Sequence, residues 1–162
     1  DGGLQAWKAA GGAIESGPPA ARAPGAFTVR APLTTALDTD AVATRLRRGD
    51  LTVIDARAAP RFRGEVEPLD PVAGHIPGAL NRPFGLNLDE QGRFKPAATL
   101  RAEFETLLAG RDPASVVHQC GSGVSALPNL LAMEVAGFAP TRLFAGSWSE
   151  WCRDPSRPVA KG

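Results

Sequence analysis

The feature that most restricts the fold is a pair of short apolar runs, Leu51-Thr-Val-Ile-Asp55 and Ser115-Val-Val-His-Gln119. Each is of strand length, and adjacent apolar residues in so short a run imply a strand covered on both faces. Elsewhere the period changes. In the stretch 99–110, TLRAEFETLLAG, the side chains of Leu100, Phe104, Leu107 and Leu108 share one helical face. A second helix is expected from Val124 to Gly137, and another after Thr39, read as its N-cap, with Gly49 as the stop. Thr141-Arg-Leu-Phe144 reads as a last short strand. Strands alternating with helices predict an α/β domain with a central, mainly parallel sheet flanked by helices and right-handed crossovers.

Composition narrows the function classes. The 162 residues are 43% hydrophobic and 22% charged, with a net charge of +1, so no excess of one sign points to nucleic acid or a membrane surface. Apolar stretches fall well short of the roughly 18 residues of a membrane span. Asp1-Gly-Gly-Leu-Gln5 lacks the basic start and apolar run of a signal peptide, and cytoplasmic residence is the expectation. Two cysteines, Cys120 and Cys152, make neither a disulfide framework nor a zinc site.

One internal echo bears on organisation. Asp1-Gly-Gly-Leu-Gln-Ala-Trp7 aligns with Ala145-Gly-Ser-Trp-Ser-Glu-Trp151, and these two segments hold all three tryptophans. The second segment follows the last strand of its domain. If the first does the same, residues 1–17 are the tail of a preceding domain, residues 18–32, rich in Pro, Ala and Gly, are a linker, and 33–162 form the functional domain.

The chemistry concentrates in Val116-Val-His-Gln-Cys-Gly-Ser-Gly-Val-Ser-Ala-Leu127, where a strand ends at a cysteine in a loop of small residues that opens a helix. Loop amides that turn inward, and the positive end of the helix, favour a thiolate there. An inert packed cysteine would not need the Gly-Ser-Gly. Three chemistries compete. Gly121-Ser-Gly-Val-Ser-Ala126 fits a dinucleotide-binding turn, but Phe144-Ala-Gly146 supplies no acid at the end of the next strand. Cysteine-phosphatase chemistry wants an arginine six residues after the cysteine, where this chain has Ala126. Sulfur transfer needs only a thiolate and amides that hold a persulfide anion, so it survives both tests.

The loop Cys120-Gly-Ser-Gly-Val-Ser-Ala126 resembles the active-site loop of 3-mercaptopyruvate sulfurtransferases in the rhodanese superfamily, usually CGSGVTA, with Ser125 in place of Thr. The segment 51–84, with Gly74-His-Ile-Pro-Gly-Ala79 inside it, and the closing Gly146-Ser-Trp-Ser-Glu-Trp151 are similar to the C-terminal catalytic domain of that superfamily. Residues 1–17 resemble the end of its inactive N-terminal domain. Thiosulfate-specific members carry basic residues after the cysteine, where this chain has Gly121 and Ser122.

The resemblance implies roles. Cys120 would be the nucleophile and persulfide carrier, and Ser122 would bond the thiol or relay a proton. Gly121, Gly123, Val124 and Ser125 would offer main-chain amides, and Arg61 would hold the carboxylate of a keto-acid donor. Arg57 and Arg63 are weaker candidates. His75 is read as bonding the backbone of its own loop, Asp55 as bonding loop amides, and His118 as a core residue. The implied donor is 3-mercaptopyruvate, with thiosulfate as the alternative. The acceptor would be cyanide, a small thiol or thioredoxin, and no metal or organic cofactor is implied. A sulfur-carrier module without turnover is a further alternative. Two departures stand out: the second substrate arginine of some members has no counterpart in Gly64-Glu-Val-Glu-Pro-Leu-Asp-Pro-Val72, and the family's catalytic aspartate lies in the N-terminal domain, outside this chain. Pro128 sits awkwardly within the early turns of the expected helix.

Overall fold

The computed structural model describes residues 1–162. In chain order the elements are α1 (Gly3–Ala9), β1 (Thr35–Leu37), α2 (Thr39–Arg48), β2 (Thr52–Asp55), α3 (Ala59–Phe62), β3 (Leu80–Asn81), α4 (Ala97–Leu108), β4 (Val116–Gln119), α5 (Leu127–Val135), β5 (Arg142–Phe144) and α6 (Ser147–Trp151). Short 3-10 turns span Phe84–Asn87 and Pro113–Ser115. The sheet runs in the order β1-β5-β4-β2-β3, and every pairing is parallel.

The two apolar runs become the sheet's interior. β4 lies between β2 and β5, with Ile54 opposite His118 and Val117 opposite Arg142. All four residues of β2 and of β4 are buried, as a strand covered on both faces requires. Successive side chains alternate between two cores. Val53 and Val117 join Val42, Ile76, Trp148 and Trp151 on the face covered by α2 and α6. Ile54 and Val116 join Leu100, Phe104, Leu108 and Met133 on the face covered by α4 and α5. No helix is long and apolar enough to cross a membrane.

Several boundaries differ from expectation. The N-cap of α2 is Asp38, whose carboxylate accepts from the Ala41 N–H at 2.8 Å, while Thr39 is the first helical residue and is buried. Asp is as good a cap as Thr, and burial gives Thr39 a different task. α5 starts at Leu127, three residues later than expected, which places Pro128 in its first turn, where a missing N–H costs nothing. Two short strands, β1 and β3, carry too little pattern for sequence reasoning to find. Residues 18–32, expected as a linker, contain no helix or strand. Trp7 on α1 is half exposed, whereas Trp151, its counterpart in the echo, is buried.

Candidate active site

The C-terminal ends of β2, β4 and β5 open onto one edge of the sheet, the edge at which parallel α/β sheets place their ligands. Cys120 is the residue directly after β4. Its side chain packs with Ala56, just beyond β2, and with Ala126 and Leu143. The residue is 1% exposed.

That loop is held by α6. The Cys120 N–H donates to Ser147 Oγ at 3.1 Å, and Ser147 Oγ donates to the Phe144 carbonyl at 2.9 Å. Trp148 N–H donates to the Cys120 carbonyl and Ser149 N–H to the Gly121 carbonyl, at 3.1 and 2.9 Å. Ser147 takes a left-handed φ of 54°, which turns β5 into the helix within one residue. Gly123 explains why the loop needs glycine: its φ is +84°, and a Cβ there would lie 2.5 Å from the Ala145 carbonyl oxygen.

With its carbonyls fixed, the loop keeps its donors free. The six N–H groups from Gly121 to Ala126 donate to no acceptor in the protein. Consecutive uncommitted amides following a buried sulfur are suited to holding an anion on that sulfur. Among the expected site residues, Gly121, Gly123, Val124 and Ser125 contribute four of these amides. Ser122 is exposed, and its hydroxyl makes no hydrogen bond within the protein.

Arg61, on α3, reaches the same loop. A Cβ on Gly121 would lie 3.6 Å from Arg61 Nη1 and 3.8 Å from Nη2. Its Nη2 donates to Glu67 Oε1 at 2.5 Å and to Asp70 Oδ2 at 3.4 Å, and its buried Nε has no partner. The carboxyl of Glu67 ionises more readily than usual: burial works against this, but Arg61 and the amides of Leu69 and Asp70 outweigh it.

Behind this pair lies a second guanidinium. Arg57 is 3% exposed, bonds both carboxylate oxygens of Asp55 at 2.8–3.1 Å and the Gly74 carbonyl at 2.7 Å, and stacks 4.7 Å from the Trp148 ring centroid. Asp55 also accepts from the Arg57 N–H and from Gln119 Nε2. Burial raises its carboxyl above the ordinary value in spite of these partners. Arg57 is thereby consumed in structure, and Arg63 is tied to Glu65 on the exposed surface.

The remaining candidates resolve simply. His75 stacks on Phe62 with centroids 3.8 Å apart, and its Nδ1 lies 2.7 Å from the Phe62 carbonyl oxygen, a structural role. His118 is buried with both ring nitrogens unpartnered, and burial pushes its pKa down to about 3, too low for a base near neutrality. Cys152 is buried in the α2/α6 core, and both cysteines are free thiols. A cavity of about 620 Å³ between α2 and the C-terminal tail is lined by Arg47, Ile76, Trp151 and Arg157 among others, and none of the residues named around Cys120 lines it. Sequence reasoning missed Ser147, and it read the segment holding Glu67 and Asp70 only for the arginine it lacks.

Residues 38–154 match the rhodanese-like domain family. The chain belongs to that family.

This rhodanese-like domain has relatives with named activities. The chain is 52% identical over all 162 residues to a Pseudomonas aeruginosa protein named "Probable 3-mercaptopyruvate sulfurtransferase", covering 57% of that protein. It is 38% identical over 106 residues to "Thiosulfate sulfurtransferase TUM1" of Saccharomyces cerevisiae, covering 60% of this chain and 35% of the yeast protein. The wild-type structure of EanB superposes with a TM-score of 0.83 at 25% identity, over 99% of this chain and 40% of EanB. The chain thus spans 57% of the first of these curated relatives and 35% of the second.

Proposed function

We propose that this domain transfers sulfane sulfur from 3-mercaptopyruvate through a persulfide on Cys120. The thiolate of Cys120 attacks the donor's sulfur, and the carbon–sulfur bond breaks with its electron pair going to carbon. The enolate so formed takes up the proton of the donor thiol and leaves as pyruvate. Cys120 then carries a Cys–S–S⁻ group, and the acceptor's thiolate or cyanide attacks the outer sulfur and regenerates the thiolate.

The single observation that carries the reading is the run of six uncommitted amides from Gly121 to Ala126 that follows a buried cysteine at the end of the central strand. Such donors stabilise a persulfide anion without a charged clamp. Arg61 Nη1, turned toward Gly121, holds the donor carboxylate, and the exposed Ser122 hydroxyl relays protons at the loop's mouth. Residues 1–17 are the tail of an N-terminal rhodanese domain, 18–32 the linker, and 33–162 the catalytic domain. The N-terminal domain completes the site with an acidic group, and a cytoplasmic thiol or thioredoxin takes the sulfur.

The test is incubation of the full-length protein with 3-mercaptopyruvate, followed by mass spectrometry of Cys120. An added sulfur atom that disappears on adding cyanide or a thiol is the expected result. Turnover undiminished in Cys120→Ser would refute the assignment, and an adduct that acceptors never discharge would make the protein a carrier instead.

A further inference from the structure

Arg61 is not a free cation waiting for an anion. Its Nη2 is shared by Glu67 and Asp70, at 2.5 and 3.4 Å, and all three side chains are largely withdrawn from water. Glu67 cannot swing away cheaply: its Oε1 also accepts the N–H groups of Leu69 and Asp70, and its Oε2 lies 3.4 Å from Arg57 Nη1. Arg57 is in turn met by Asp55. Every guanidinium near the cysteine loop therefore already has its counter-charge, and Arg61 has two. What remains for a ligand is Nη1, which has no partner in the protein and would lie 3.6 Å from a Cβ on Gly121, with Nη2 at 3.8 Å.

We propose that Asp70 sets the charge class of the sulfur donor. With Glu67 it more than offsets the charge of Arg61 and leaves a single directional donor, which suits a carboxylate bearing one negative charge better than the dianion thiosulfate. The loop adds no cation of its own, since Gly121 to Ala126 contains no basic residue. A second negative charge on the donor meets Asp70 across a poorly hydrated site, where charge–charge terms are far larger than in bulk water. Glu67 anchors the loop, whereas Asp70 makes the weaker contact and has no second cation, so Asp70 is the residue whose charge can be removed with least disturbance.

This inference rests on the sulfur-transfer reading, and one set of assays separates the two. In the full-length protein, kcat/KM is measured with 3-mercaptopyruvate and with thiosulfate, for the wild type, Asp70→Asn and Asp70→Ser, alongside mass spectrometry of Cys120. Asp70→Asn keeps the shape and removes the charge, and Asp70→Ser guards against an idiosyncrasy of one replacement. The expected result is a shift of the donor ratio toward thiosulfate by about tenfold or more in both variants, because the dianion is relieved of twice the repulsion felt by the monoanion. A ratio unchanged in both, with Cys120 persulfide still formed, overturns the role of Asp70 and leaves sulfur transfer standing. No persulfide on the wild type with either donor overturns both.

Discussion

The main-chain N–H of Cys120 donates to the hydroxyl of Ser147, 27 positions later in the chain, and that hydroxyl donates in turn to the Phe144 carbonyl. The candidate nucleophile is therefore aligned by the residue that opens α6, and the ends of β4 and β5 are fastened at one buried oxygen. Helix α6 continues the task by donating two N–H groups to the carbonyls of Cys120 and Gly121.

Ser147→Ala would leave a buried N–H and a buried carbonyl without partners, a loss of about 1–3 kcal/mol. Ser147→Gly suffers the same loss but relieves the left-handed φ of 54°, and should be the more stable of the two by about 1 kcal/mol. Urea denaturation checks the order. Both variants should form the Cys120 persulfide more slowly than wild type, and equal rates would show that the anchor does not matter to the loop.

The two glycines of the loop should respond differently. Gly123→Ala combines a φ of +84° with a Cβ 2.5 Å from a backbone carbonyl that cannot retreat, and is expected to abolish transfer and cost about 2 kcal/mol or more of stability. Gly121→Ala adds a methyl 3.6 Å from Arg61 Nη1, an ordinary contact, so the fold survives and the effect falls on donor KM. Thermal denaturation paired with steady-state kinetics separates the cases, and equal losses of Tm would contradict the account.

Much of this was readable beforehand. Val53-Ile54 and Val116-Val117 had to be covered on two sides, and the alternation of such strands with helices implied the parallel sheet with Cys120 at the end of one of its strands. The Gly-Ser-Gly loop was legible because only small residues permit its geometry. Less visible was anything set by contact between distant segments. Nothing in Ser147 itself announces that it accepts from residue 120, and nothing in the acidic loop says that Glu67 and Asp70 close on Arg61. The strands β1 and β3 have three and two residues, too few for periodicity to register, and exist because β5 and β2 offer them edges.

Arg61→Lys keeps the charge but replaces a planar fork with one flexible ammonium, which Glu67 and Asp70 would capture. The amine could not hold them and face Gly121 together. The expected outcome is a fall in kcat/KM for 3-mercaptopyruvate of about tenfold or more, carried mainly by KM, because the lost contact is with a non-reacting carboxylate. A fall confined to kcat would move Arg61 from donor binding to the chemical step.

His118 makes stability depend on acid in a way that can be isolated. Its imidazole is buried, has no partner on either nitrogen, and keeps its pKa near about 3 in the folded protein against an ordinary 6.5. Below pH 6.5 the unfolded chain therefore binds a proton that the folded chain refuses, so stability is intact above that value and drains away as pH falls toward 3. The slope is at most about 1.4 kcal/mol per pH unit. Asp55, whose carboxyl is raised, acts in the opposite sense between its unfolded and folded values, so the wild-type curve alone mixes the two. Comparison with His118→Leu removes the ambiguity, because the variant retains Asp55 and deletes only the imidazole. Unfolding by urea at pH 7 and pH 5 should show the variant at least as stable as wild type at pH 7, with the gap widening by about 1–2 kcal/mol at pH 5. A gap that stays constant would mean that the folded protein protonates this imidazole as readily as the unfolded chain does, and would overturn its depressed pKa.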